Sequence, residues 1–68
     1  MIERYIIITL MTKYIAKVFF HDDRKLAIHF MNTENLDLMG TPKTIILNGN
    51  PQKVLDYIEA REYDMTHL

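Results

Sequence analysis

From Tyr5 to Phe20 apolar positions follow one another with few polar breaks, and Ile, Val, Thr, Tyr and Phe dominate. Branched and aromatic side chains fit a pleated surface better than a helix, so the segment reads as extended chain. A second periodicity competes with this reading. Ile7, Met11, Tyr14, Ile15 and Val18 recur at intervals of three and four, the spacing of one helical face. Sixteen residues would make an unusually long strand. The extended reading therefore places a break near residues 10–12, with a first strand from about Tyr5 and a second ending at Phe20.

Beyond Phe20 the charged run His21-Asp22-Asp23-Arg24-Lys25 separates two apolar stretches, and Asp favours turns because its carboxylate bonds nearby backbone. A hairpin centred on Asp23-Arg24 pairs His21 with Leu26, Phe19 with Ile28, Val18 with His29 and Ala16 with Met31. Alternation then puts Phe19, Leu26, Ile28 and Phe30 on one face and Ala16, Val18, Phe20, Ala27, His29 and Met31 on the other. Both faces are apolar. One helix shields only one of them, so the second calls for a sister subunit, a target protein, or the segment 1–10 folding back.

Residues 32–43 read as a connection with an apolar plug of Leu36, Leu38 and Met39, opened by Thr33 and stopped by Gly40 in a left-handed conformation. Thr44-Ile45-Ile46-Leu47, bounded by Pro42 and Asn48-Gly49-Asn50, reads as another strand. The clearest local signal follows. Asn50 suits a cap and Pro51 a first helical turn, while Val54, Leu55, Ile58 and Glu62 share a stripe, predicting a helix to about Tyr63. The expected architecture is a single α+β domain over residues 1–68, an antiparallel sheet of three or four strands with one C-terminal helix, and dimeric.

Composition sharpens the expectation of self-association. Among 68 residues, 49% are apolar and 25% charged, the balance of a folded chain rather than a disordered one. A domain of this size hides only about 60% of the surface its unfolded chain exposes. Small domains usually add a disulfide, a metal or an oligomer, and the chain has no cysteine. The absence of cysteine suits a cytoplasmic protein. The uncharged, strongly apolar run Tyr5 to Thr12 falls far short of the ~20 residues a membrane span needs, and a formal charge of -1 gives no general attraction to nucleic acid.

Candidate chemistry is sparse. His21, Asp22 and Asp23 resemble metal ligands, but a complete set would need Glu34 or His67, and a solvated tip accounts for them more simply. The segment 47–53 leads into a helix start that suits an anion, yet it has one glycine where phosphate loops have two or three. No nucleophile, base and metal converge, so neither an enzyme nor a cofactor is expected. The C-terminal helix carries Lys53 in its first turn and Glu59, Glu62 and Asp64 toward its end, against its dipole.

These features predict a noncatalytic protein-binding module without membrane attachment. It acts as a homodimer through an apolar sheet face of Val18, Phe20, His29 and Met31, rimmed by Glu59, Glu62 and Asp64. His29, titrating near neutrality, would make docking sensitive to mild acid. Abundant isoleucine and a short free-standing chain suggest, by analogy, a phage-type inhibitor or adaptor of a larger host enzyme. The alternative is nucleic-acid binding through Lys13, Lys17, Arg24 and Lys25 with Tyr14 or Phe19 along the hairpin.

Overall fold

A computed structural model describes residues 2–66. The described residues form four helices: α1 (Ile2–Phe19), α2 (Arg24–Asn32), α3 (Pro42–Leu47) and α4 (Pro51–Thr66). Among the described residues there is no strand, only an isolated bridge between Asn35 and Gly40. The protein is all-helical, which overturns the expected α+β sheet, its hairpin and the strand at residues 44–47.

The physical reason is clearest in α1. Between Tyr5 and Phe20 there is no Gly, Pro, Asn, Asp or Ser to turn the chain, so two strands had no place to separate. The helical stripe prevails instead: Met11 and Ile15 are buried, with Ile7, Ile8 and Tyr14 packed beside them. Branched residues lower helix propensity only by tenths of a kcal/mol each, which tertiary burial offsets.

The charged tip is a helix junction. His21 and Asp22 both adopt left-handed backbone, with φ of 52° and 67°, and the N–H groups of Phe20 and Asp22 donate to the Ala16 carbonyl at 3.0 and 2.9 Å. Left-handed conformations are unfavourable for L-residues, and Asp is among those that tolerate them best. Asp23 then caps α2, its Oδ1 accepting from the N–H groups of Lys25 and Leu26 at 3.0 and 3.3 Å. The same carboxylate chemistry that suits a turn suits an N-cap. Once α2 is helical, Ala27 and Met31 point inward while Leu26, Ile28 and His29 are exposed, and strand alternation no longer applies.

The connection from α2 is tied into a small loop. Asn35 Oδ1 accepts from the N–H groups of Asp37 and Leu38, and Asn35 and Gly40 exchange backbone hydrogen bonds of 2.9 and 3.3 Å. Of the plug, Leu38 is buried, whereas Leu36 and Met39 stand in solvent. Met39, at φ 60°, takes the left-handed position assigned from sequence to Gly40.

Helix α3 starts as α4 does, with a polar residue before proline. Thr41 Oγ1 accepts from the Thr44 N–H at 3.1 Å, and Pro42 fills the first helical position. It ends in a Schellman turn: Gly49, at φ 91°, donates to the Ile46 carbonyl and Asn50 to that of Ile45, both at 3.0 Å. Arg4 of α1 reaches this turn and donates to the Leu47 carbonyl. The start of α1 is thereby fastened to the α3–α4 corner.

All four helices contribute to one core: Met11, Ile15 and Ala16 from α1, Ala27 and Met31 from α2, Ile46 from α3, and Val54 and Ile58 from α4. Helix α1 contacts each of the other three, and α3 bridges α2 and α4. At one end Phe19, Phe20, Phe30 and Tyr57 form an aromatic cluster with ring centroids 6.2–6.4 Å apart, within the range of favourable ring contacts. Arg61 lies 5.1 Å above the Tyr57 ring and pairs with Asp37 at 2.7 Å, tying the loop after α2 to α4.

Candidate functional site

Helix α1 is apolar on two sides. Its inner side supplies the core, and its outer side carries Ile2, Tyr5, Ile6, Thr9 and Leu10, positions i, i+3, i+4, i+7 and i+8 of a single helical stripe. Ile2, Tyr5, Ile6 and Leu10 are 76, 55, 53 and 60% exposed. They border a shallow depression of about 310 Å³. Thr9 adds little polarity, because its hydroxyl donates to the Tyr5 carbonyl at 3.0 Å. A helix apolar all round is normally buried all round. Here the chain's own helices cover only the inner side.

Scattered exposed aliphatics are ordinary, but contiguous apolar patches mark contact surfaces. Tyr63 and Met65 are exposed toward the end of α4, and Leu26, Ile28, Leu36 and Met39 are exposed as well. The last four belong to α2 and the loop after it, and none of the six is part of the α1 stripe. The stripe is tied to the fold at both ends: Arg4 bonds the α3–α4 corner, and Met11, Ile15 and Ala16 sit in the core.

The residues predicted to form a partner-binding face do not share one, since the sheet that aligned them is absent. Met31 is 2% exposed and belongs to the core. Phe20 is half-buried in the aromatic cluster. His29 is exposed in the last turn of α2. Val18 lies beside Glu62 in a different groove, with Tyr14 and Lys17. Of the acidic rim, Glu59 and Asp64 are exposed. Glu62 accepts a hydrogen bond of 3.0 Å from the Tyr14 hydroxyl, an intramolecular use that explains its place on the inward stripe of α4. That bond to a carboxylate raises the Tyr14 phenol above its usual range, with burial and the negative charges of Glu62 and Glu59 adding to the effect.

The other sequence candidates resolve into structural duties. The Asp23 carboxylate is engaged as an N-cap, and among the described residues no group of three or more His, Cys, Asp and Glu is placed to hold a metal ion. His67, considered as a further ligand, lies outside the described residues. The turn considered for an anion is the Schellman end of α3, with the Arg4 guanidinium packed over Gly49. Of the bases expected along a hairpin, Lys13, Lys17 and Arg24 do come together, at the junction of α1 and α2. Among the described residues no helix is long and apolar enough to cross a membrane.

Sequence reasoning missed Ile2, Tyr5, Ile6 and Leu10 as candidates. The signal was present: the spacing 2, 5, 6, 9, 10 interleaves with the stripe 7, 11, 14, 15, 18 in one uninterrupted segment. No known protein family, no curated protein and no solved structure matches the chain.

Proposed function

We propose that this chain is a small noncatalytic protein-binding module whose first partner is a second copy of itself, held through the outer stripe of α1. The observation that carries the reading is the exposure of Ile2, Tyr5, Ile6 and Leu10 on one helical face. An antiparallel pairing of two α1 helices sets Ile6 beside the partner's Leu10. It also opposes the two helix dipoles favourably. A C2 contact of this kind repeats one patch on both copies, which is how most small homodimers form. The stripe spans about two and a half turns. An interface built on it is therefore small and dissociates on dilution.

Such a module serves as an inhibitor or adaptor rather than as a catalyst. Glu59 and Asp64, exposed on α4, are charges left available to a basic protein partner. Light scattering across a dilution series tests the self-association. The expected result is a mass that falls from dimer to monomer on dilution, with Ile6→Glu and Leu10→Glu monomeric throughout while retaining helical circular dichroism. A wild-type chain that stays monomeric up to its solubility limit would overturn the proposal.

A further inference from the structure

A second groove, separate in chemistry from the α1 stripe, lies where α1, α2 and α3 meet. Its volume is about 280 Å³, with a floor of Ile8, Ile28 and Met31 and a rim of Lys13, Arg24 and Lys43. One cation comes from each of three helices, and among the described residues no Asp or Glu lines the groove. Its neutral polar groups are already engaged. The Thr12 hydroxyl donates to the Ile8 carbonyl at 2.6 Å and the Asn32 amide to the Ile28 carbonyl at 2.9 Å. The rim cations are left as the recognition groups. Cations of one sign gathered at the edge of an apolar surface favour the arrival of an anion.

We propose that this groove binds a small amphipathic anion, an aliphatic body ended by a carboxylate or phosphate. The aliphatic part covers Ile8, Ile28 and Met31, and the head group meets Lys13, Arg24 and Lys43. The volume sits at the lower end of the ~300–1,000 Å³ of ligand pockets, which suits a chain of modest length rather than a large cofactor. Arg24 offers a planar fork that matches either head group, while the lysines act as point charges. Nucleic acid fits this site less well. Phe19, Phe20, Phe30 and Tyr57 lie together in another groove, and among the described residues no aromatic side chain lines this one for base stacking. Lys17 continues the basic surface beyond Lys13 and Arg24, but there Asp22 joins the lining. The continuous positive surface is therefore short.

Titration of the full-length chain with octanoate, octyl phosphate, octanol and inorganic phosphate, below any micelle-forming concentration, tests the proposal by methyl NMR. Expected is saturable displacement of the Ile8, Ile28 and Met31 methyl signals by octanoate or octyl phosphate, the stronger of the two identifying the head group. Octanol and inorganic phosphate, each holding half of the recognition, should bind at least about tenfold more weakly. Arg24→Ala and Lys43→Ala should each weaken the anion by about tenfold, the scale of one lost charge-assisted hydrogen bond. Lys43→Gln serves in place of any alanine variant that loses helical signal. Octanol binding as tightly as octanoate would overturn the proposal, as would unchanged affinity in both variants. Displacement confined to Ile2, Ile6 and Leu10 would place the ligand on the outer stripe of α1 and also count against it. Duplex or single-stranded DNA that binds through Lys13, Arg24 and Lys43 more tightly than either amphiphile would assign the surface to nucleic acid instead.

Discussion

The two long helices, α1 and α4, do the same work on their inner sides and opposite things on their outer sides. Each buries aliphatics at helical spacing, Met11 and Ile15 in one and Val54 and Ile58 in the other. Outward, α4 shows Gln52, Lys53, Asp56 and Glu59, with Tyr63 and Met65 exposed only toward its end, while α1 shows Ile2, Tyr5, Ile6 and Leu10 along about its first two and a half turns. A polar outer side is what a helix needs when its neighbours complete the fold. The outer side of α1 has no such completion within the chain. The contrast separates apolar residues that hold the monomer together from apolar residues that the monomer does not use.

The sharpest way to break that contrast is to shorten one residue on each side of α1. Ile15→Ala removes a fully buried side chain and should cost about 2–5 kcal/mol, the range for large-to-small core changes. Leu10→Ala should alter monomer stability by no more than about 0.5 kcal/mol, as expected for a surface position. Urea unfolding at a concentration where the chain is monomeric measures both. Comparable losses at the two positions would mean that the outer stripe is part of the fold.

A charge on the outer stripe comes next in size. Ile6→Glu should raise the dimer dissociation constant by at least about tenfold, because a carboxylate is then desolvated at the contact. The matching change on α4, Glu59→Ile, should leave self-association where it was. Sedimentation across dilution compares the two. A smaller effect is expected at the α1–α2 junction, where Asp23→Ala removes the cap of α2 and should cost about 1 kcal/mol in urea unfolding.

The smallest effect lies where α1 and α4 touch through polar groups. The Tyr14 phenol is raised above 10.0 chiefly by donating to Glu62. Its neutral form is therefore the one the fold favours. Stability from this bond is complete below the ordinary tyrosine value and is lost as pH rises through the raised one. Wild-type stability should decline above about pH 10, and Tyr14→Phe should flatten part of that decline while costing about 1 kcal/mol or less at neutral pH. An unchanged alkaline slope in Tyr14→Phe would remove this bond from the account.

The same contrast explains which parts of the fold could be seen in the sequence. Helix α4 was legible because Pro51 marks its start and Val54, Leu55 and Ile58 define one narrow stripe against a polar background. Helix α1 was not, because apolar residues occupy both its sides, and a segment apolar at nearly every position fits an alternating pattern as easily as a helical one. Helices α2 and α3, of nine and six residues, are too short to display several turns of periodicity, and Asp23 signals a cap and a turn with the same chemistry. Thr41-Pro42 was the missed clue, since it repeats the arrangement of Asn50-Pro51. The contiguous exposed stripe lies on α1 rather than on a hairpin; Met31, assigned to the apolar face from strand alternation, is drawn into the core by helical geometry, and Phe20 joins the aromatic cluster at the end of α1.

Direct observation of the contact between copies provides the strictest test. In a mixture of isotopically labelled and unlabelled chains, held at a concentration where the dimer forms, intermolecular NOEs should connect the Ile6 methyls of one copy with the Leu10 methyls of the other. A dimer whose intermolecular NOEs arise only from other residues, or a concentrated sample that yields none, would contradict the proposal that copies of this chain associate through the outer stripe of α1.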